Sequence, residues 1–325
     1  MQPSVSSTIE RREALEQFAA DVRAGLNRPG QKELHSKYLY DSLGSALFDA
    51  ITHLPEYGLT RADERILRGH SAEMAQAVGS SVTVAELGSG SGLKTRPLLE
   101  AFSLLNPEIT YYPIDVSGSA LARCARELDI VARVIPIPAT YLEGIERITV
   151  HRPAGSRMFV LFLGSTIGNF ERPCARTFLS DLRGLLVKGD ALLLGADLVK
   201  PESQLLAAYD DPTGVTAAFN LNLLGRINRE LGGDFNLRRF QHEARYNAAE
   251  HRVEMHLRST GDQVVSIPHA GCTIRFRDGE TIWTESSHKF TPDELGEMAR
   301  ATGFTVQNTW FDADWPFAET LWFAA

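Results

Sequence analysis

The chain has 325 residues, 43% hydrophobic and 23% charged, with a formal net charge of −8 at pH 7. That length suits two domains and that composition a folded globular protein. The acidic balance speaks against nucleic-acid and membrane partners, and no apolar run approaches the ~20 residues of a spanning helix. Residues 10–28 carry helical periodicity, with Leu15, Phe18, Ala19, Val22 and Leu26 on one stripe. Pro29-Gly30 punctuates a polar link. The next stretch, from Lys37 through Tyr40 and Phe48 to Leu54-Pro-Glu-Tyr57-Gly58, is rich in aromatic residues for a linker. Helical periodicity resumes over 61–77.

From Val82 the pattern becomes strand, helix, strand. Strands are predicted at 82–87, 109–114, 133–137, 158–163 and 191–198, with helices at 95–105, 117–128 and 174–186. Buried apolar strands alternating with helices imply a doubly wound parallel sheet, whose ligands sit at the carboxyl ends of the strands. The alternation stops after Lys200-Pro201. Helices at 203–209 and 215–230 are followed by antiparallel-looking strands at 240–246, 252–258, 263–267, 272–276 and 281–287, with Asp278-Gly279 as a hairpin turn. A helix at 292–301 and strands at 305–311 and 320–323 end the chain. Residues 199–289 therefore look like an insertion. With residues 1–61 they are expected to form a second, α+β domain facing the ligand end of the sheet, beside a domain of 62–198 and 290–325.

The polar stretch 1–10 lacks a signal-peptide core, and Cys124, Cys174 and Cys272 show no Cys-x-x-Cys spacing. A cytoplasmic location with reduced thiols is expected. His251 and His256, five apart, share no face of a helix or strand, and no metal site is expected.

The segment Glu86-Leu-Gly88-Ser-Gly90-Ser-Gly92-Leu-Lys94 links a strand to a helix through a glycine turn. Glycines permit a sharp turn and a closely approaching ligand. The strand that follows ends in Asp115. An ordinary glycine turn of another α/β enzyme is the alternative; the loop and the acid together favour a cofactor site. The strand at 158–163 exits into Gly164-Ser-Thr-Ile-Gly-Asn169-Phe170. A carboxamide there can meet both the ammonium and the carboxylate of an amino acid, or it can cap the next helix. Glu285 and Ser287 alternate along one predicted strand, about 7 Å apart on one face, and can meet a planar ring with a donor and an acceptor. Met255 alternates with Val253 and Leu257 on a neighbouring strand. On spacing alone these also suit a solvated face and a core filler, and Trp283 equally marks packing.

The glycine loop resembles the first motif of the class I S-adenosylmethionine-dependent methyltransferases. The motifs Tyr40 to Phe48, Leu54 to Tyr57, Phe162 to Phe170, Ala208 to Asn220 and Thr284 to Phe290 resemble one branch of them. That branch is the ergothioneine-pathway L-histidine Nα-methyltransferases, and the likeness runs from about Leu34 to the C-terminus. The resemblance implies a Rossmann-like sheet and three methyl transfers from S-adenosylmethionine to the α-amine of L-histidine. The products are hercynine and S-adenosylhomocysteine.

It also implies residue roles. Tyr57, Asn169 and Tyr209 hold the amine and carboxylate; Glu285 and Ser287 meet the imidazole; Tyr40, Phe48, Met255 and Gly164 line the pocket. Gly88, Gly90, Lys94 and Asp115 contact the cofactor, Asp115 through the ribose hydroxyls, and Tyr141 lies by the adenine. Thr140 stands where the family often has an acid, and a hydroxyl is the weaker acceptor there. The chemistry is in-line displacement at a sulfonium methyl, which needs a neutral amine and alignment more than a strong base. Tyr40 and Tyr57 are alternative proton relays, with Asn169 beside the reacting amine. A monomer acting on a small molecule is expected. The alternatives are another amino acid or a histidine derivative as substrate, or a non-catalytic S-adenosylmethionine-binding protein.

Overall fold

The apolar runs of the chain's middle third are strands buried on both faces in the computed structural model, which describes residues 5–325, with side chains from residue 12 onward. Two compact units result: one takes the chain up to Gly58 plus Lys200–Ser287, the other Leu59–Val199 plus His288–Ala325. Unit one opens with α1 (Val5–Leu26), β1 (Lys32–Glu33) and α2 (Ser42–Thr52). Unit two follows with α3 (Leu59–Val78), β2 (Val82–Leu87), α4 (Arg96–Leu105), β3 (Thr110–Asp115), α5 (Gly118–Leu128), β4 (Arg133–Val134), β5 (Ile137–Pro138), α6 (Tyr141–Thr149), β6 (Arg157–Phe162), α7 (Arg172–Leu185) and β7 (Ala191–Asp197). The chain returns to unit one for α8 (Glu202–Tyr209), α9 (Val215–Leu231), β8 (Phe240–Asn247), β9 (Arg252–Ser259), β10 (Gln263–Ile267), β11 (Cys272–Phe276) and β12 (Thr281–His288). It ends in unit two with α10 (Pro292–Ala301), β13 (Phe304–Phe311) and β14 (Phe317–Ala324).

The sheet of unit two runs β13-β14-β7-β6-β2-β3-β4, with β5 also on β3. Strands β2 to β7 are parallel; β14 is antiparallel to β7 and to β13. This is the class I methyltransferase arrangement. Every residue of β2 and β7 is buried, as strands covered by helices on both faces require. Val160, Phe162 and Leu192 pack with Ile148 of α6, Leu179 of α7 and Met298 of α10 on one face. Phe159 points the other way and meets Phe102 of α4, ring centroids 5.6 Å apart. The predicted strand 133–137 divides into β4 and β5 because Pro136 has no N–H to continue the ladder. Because β2 is flanked by β3 on one side and β6 on the other, the order reverses there, and the strand ends open a crevice.

Unit one holds a four-stranded sheet, β1-β12-β9-β8, and a separate hairpin, β10-β11. Helix α9 packs on β8 and β9. In α1, Phe18, Val22 and Leu26 are buried as the periodicity predicts, whereas Leu15 is 38% exposed. Among the described residues no helix is long and apolar enough to cross a membrane.

Helix α2 is not apparent from periodicity; its cap explains it. Asp41 accepts the Gly44 N–H at 2.7 Å, the Asn222 side-chain amide at 2.8 Å and the Arg229 guanidinium at 2.6 Å, which fastens α2 to α9. Burial pushes its carboxyl up, but these donors outweigh burial and hold it below the usual carboxylate range. A depressed carboxyl contributes stability above its unfolded pKa and loses it as pH falls through the folded one. Asp41→Ala is therefore expected to cost roughly 1–2 kcal/mol at neutral pH. Thermal unfolding midpoints of the two proteins should converge in acid; a gap independent of pH would contradict this account.

Candidate active site

In unit two the glycine loop leaves the end of β2. Gly88, Gly90 and Gly92 all have positive φ (69°, 54° and 70°). At Gly92 a Cβ would fall 2.6 Å from Cys124 Sγ, so a side chain is excluded twice, by conformation and by space. At Gly90 nothing lies within 4 Å of that position, which leaves a cradle of open backbone. Asp115, at the end of β3, adjoins this loop as expected: its carboxylate accepts the Gly90 N–H at 3.2 Å and the Ser117 N–H at 2.8 Å. The Tyr141 hydroxyl lies 3.2 Å from where a Gly88 Cβ would sit, and burial together with the Asp115 charge pushes its pKa up to about 12. Thr140 heads α6 and donates its hydroxyl proton to Glu143 at 2.7 Å, which leaves its oxygen able to accept.

Lys94 follows the loop and pairs with Asp63 of α3 at 3.1 Å. Burial alone would lower the ammonium pKa; the charges of Asp63 and Glu86 outweigh it and raise it. Asp63 also accepts the Gly164 N–H at 3.0 Å, which ties the exit of β6 to the same carboxylate. In that exit Ser165 adopts φ 59°, rare for a side-chain-bearing residue, and its hydroxyl accepts the Asp197 N–H at 2.9 Å. Asp197 is held by Lys289 at 2.9 Å and by the Trp315 indole at 2.9 Å. Asn169 ends the short helical turn Thr166–Asn169 and does not cap the next helix, whose N-cap is Glu171.

Of the expected substrate residues, unit one holds Tyr40, Phe48, Tyr57, Tyr209, Met255, Glu285 and Ser287, whereas Asn169 and Gly164 belong to unit two. Tyr209 donates to Ser287 at 2.7 Å, and the Tyr40 hydroxyl lies 3.4 Å from a Glu285 oxygen. Between these two polar ends the rings follow edge to face: Tyr40 to Phe48 at 5.5 Å, Phe48 to Tyr57 at 6.4 Å, Tyr57 to Tyr209 at 6.1 Å. Glu285 is 8% exposed and Met255 2%, so neither is a solvated strand residue. Trp283 is packing: its ring stacks on His256 at 6.0 Å under the Arg252 guanidinium.

Sequence patterns do not single out Phe219, Asn220, His242 or Asp63. Phe219 packs against Tyr40 and Phe48. Asn220 accepts the Thr284 hydroxyl at 2.7 Å, so its amide nitrogen faces His242 Nδ1 at 2.9 Å. That places the ring proton on Nε2, which donates to the Tyr209 carbonyl at 2.7 Å and fixes the backbone beneath the tyrosine. Asn220 lies inside the motif at 208–220, the one signal that could have found it. Among the described residues no group of three or more His, Cys, Asp or Glu is placed to hold a metal ion.

Gly90's open cradle, the charged and partly exposed Lys94 side chain and the Ser89 hydroxyl, buried without a partner, fit a polar, charged cofactor such as S-adenosylmethionine. Hydrogen bonds to a charged carboxylate contribute about 1.5–3 kcal/mol each. Asp115→Ala should weaken S-adenosylhomocysteine binding by at least about tenfold, with the far-ultraviolet dichroism unchanged. An unaltered Kd by calorimetry would show that Asp115 serves the loop alone.

A family model described as histidine-specific methyltransferase, SAM-dependent, matches residues 18–324. The chain is 44% identical over 301 residues to a histidine N-alpha-methyltransferase of Mycobacterium tuberculosis (strain CDC 1551 / Oshkosh), covering 93% of each chain. It is 41% identical over 319 residues to the protein of that name from Mycolicibacterium smegmatis, covering 98% of each. It is 31% identical over 291 residues to ergothioneine biosynthesis protein 1 of Neurospora crassa, covering 87% of this chain and 32% of that one. With the sheet order, the glycine loop and Asp115 already in place, these likenesses assign the chain: it belongs to the S-adenosylmethionine-dependent, histidine-specific methyltransferases.

Proposed function

We propose that the chain methylates the α-amine of L-histidine three times in succession, giving hercynine on the way to ergothioneine. The observation that carries this reading is the half-polar, half-aromatic ring of unit one, with a buried carboxylate and hydroxyl at its ends and tyrosine and phenylalanine faces between. An imidazole offers one donor and one acceptor in a plane, which Glu285 and Ser287 can satisfy together. Growing N-methyl groups need apolar walls with polar clamps beside them, and tyrosine supplies both. Tyr57, Tyr209 and Asn169 are assigned to the amine and carboxylate, and Tyr40, Phe48, Met255 and Gly164 to the pocket wall. Gly88, Gly90, Lys94, Asp115, Thr140 and Tyr141 are assigned to the cofactor. When bound, S-adenosylmethionine supplies an electrophilic methyl on a sulfonium.

The residues' own task is to hold the amine in line and take its proton. Tyr40 is the preferred relay over Tyr57. Its hydroxyl faces the Glu285 carboxylate, so its oxygen lone pairs can accept from the ammonium while its proton points to an anion. A cytoplasmic location is part of the same reading and is supported by three free cysteines, of which Cys174 is exposed.

The direct test is mass spectrometry of histidine incubated with protein and S-adenosylmethionine, in competition with the other amino acids. Mono-, di- and trimethylated histidine should appear in order; preference for another amino acid would overturn the reading.

The clamp predicts that histamine, which has no carboxylate, is a poor substrate. It also predicts that Asn169→Ala lowers turnover with little change in cofactor Kd. Equal methylation of histamine and histidine would remove the clamp.

Glu285→Ala should raise the KM for histidine. It should also relax selectivity toward phenylalanine and tryptophan, because a buried carboxylate facing an apolar ring is left unpaired at a cost of roughly 1–3 kcal/mol. An unchanged ratio in competitive methylation would show that Glu285 does not meet the ring.

A further inference from the structure

Beside the buried Asp197–Lys289 pair, unit two encloses a cluster of three carboxyl groups, Asp63, Glu86 and Glu319, around the Lys94 ammonium. Asp63, Glu86 and Glu319 are each at most 1% exposed. Asp63 Oδ2 takes both Lys94 and the Gly164 N–H, and Glu86 Oε2 takes the Thr95 hydroxyl at 2.7 Å and the Tyr111 phenol. Neither oxygen of Glu319 receives a donor, and Asp63 Oδ1 has none. Glu319 lies across β7: a Cβ at Gly195 would sit 2.6 Å from Glu319 Oε1 and 3.1 Å from Gly164 N.

With every carboxyl ionised, one Lys94 would face three buried negative charges, and uncompensated buried charge costs several kcal/mol per ion. Of the three, Glu319 has the least to hold a negative charge. A single proton on it would give a donor to the orphaned Asp63 Oδ1. We propose that Glu319 is a proton-bearing positioning residue: as a neutral acid it donates to Asp63 Oδ1 and so keeps the other Asp63 oxygen on Lys94 and on the Gly164 N–H. Burial, reinforced by the Asp63 charge, raises the Glu319 carboxyl well above its ordinary range, in agreement. The device fixes Lys94, whose side chain remains 24% exposed, and the β6 exit from one buried point. Its consequence for cofactor binding rests on the assignment of Lys94 to the cofactor; the protonation does not.

The groups facing Glu319 are Asp63 from α3, Lys94 from the turn after the loop and Glu86 from β2, which also holds Tyr111 of β3. Lys94 and Tyr111 are shifted upward and keep their protons through neutrality. Glu86 is also raised by burial, and it is present in both wild type and a Glu319 variant. An acid kept protonated in the folded state and ionised in the unfolded one costs stability as pH rises from its unfolded to its folded pKa. Wild type should therefore lose unfolding temperature relative to Glu319→Gln as pH rises from the ordinary carboxylate range through neutrality.

Three measurements on the full chain decide the matter. The carbonyl band of a protonated carboxylic acid, shifting in D2O, should appear in the infrared spectrum of wild type near neutral pH and lose intensity in Glu319→Gln. Equal intensity in the two proteins, or a pH-independent difference in unfolding temperature, would overturn the proposal. Calorimetry with S-adenosylhomocysteine should give a Kd within about threefold of wild type for Glu319→Gln, whose amide can donate, and roughly tenfold weaker for Glu319→Leu, which cannot. A Gln variant as weak as Leu, or a Leu variant as tight as wild type, would remove the positioning role. If Lys94→Met binds as tightly as wild type, the cofactor assignment of Lys94 fails separately, while the infrared result stands.

Discussion

The ion pair of Lys94 with Asp63 is the constraint on which the larger unit's ligand end depends. It joins the turn after the glycine loop, the helix before β2 and the exit of β6, three segments remote in sequence. A single carboxylate receives the ammonium and a backbone N–H, so moving either partner unsettles the other. The same economy recurs at Asp197, which takes the Lys289 ammonium and the Trp315 indole while its own N–H goes to Ser165. The Asp63 carboxylate and the Asp197 backbone N–H thus hold two consecutive residues, Gly164 by its N–H and Ser165 by its hydroxyl. The unusual φ of Ser165 persists because this surrounding structure over-determines it.

Unit one applies a different principle. Tyr40, Phe48, Tyr57 and Tyr209 are fixed by one another's edges and faces, and the hydroxyls of Tyr40 and Tyr209 by the strand that carries Glu285 and Ser287. Beneath them Thr284, Asn220, His242 and the Tyr209 carbonyl form a hydrogen-bonded chain, and the Met255 and His256 carbonyls accept from its Thr284 and Asn220 side chains as well. A satisfied buried network of this kind rigidifies a site. Such rigidity suits the clamp proposed for the amino-acid substrate.

Much of this was legible in the sequence, for identifiable reasons. Strands β2, β10 and β11 and helix α10 begin and end where composition changes sharply, and their predicted limits coincide with the observed ones. Helix α6 lacked a long periodic run, yet Thr140 and Glu143 form a capping box that marks its start. Helix α2 has a short packed face, Gly44, Phe48 and Ile51, whose first position is a glycine because a Cβ there would collide with the Leu39 carbonyl. Strand β14 seemed to begin at 320 because Glu319 interrupts the apolar run; the strand begins at Phe317 and buries that acid. Long-range partners decide such cases, and a local pattern does not contain them. Family motifs single out Glu285 and Met255 as proposed pocket residues, and the structure buries both, whereas no motif surrounds Asp63.

The interlacing of the two units has a further consequence, for the order in which the protein can form. Strand β1 pairs with β12, and Gln31 bonds the Thr281 carbonyl across 250 residues. Strand β14, the last in the chain, lies inside its sheet between β7 and β13. Unit one cannot complete its sheet until β12 has been made, nor unit two until β14 has. Until then β7 presents an open edge, the kind of surface that invites intermolecular pairing. High contact order slows such closures, so the open edge of β7 persists for as long as the distant strand takes to arrive.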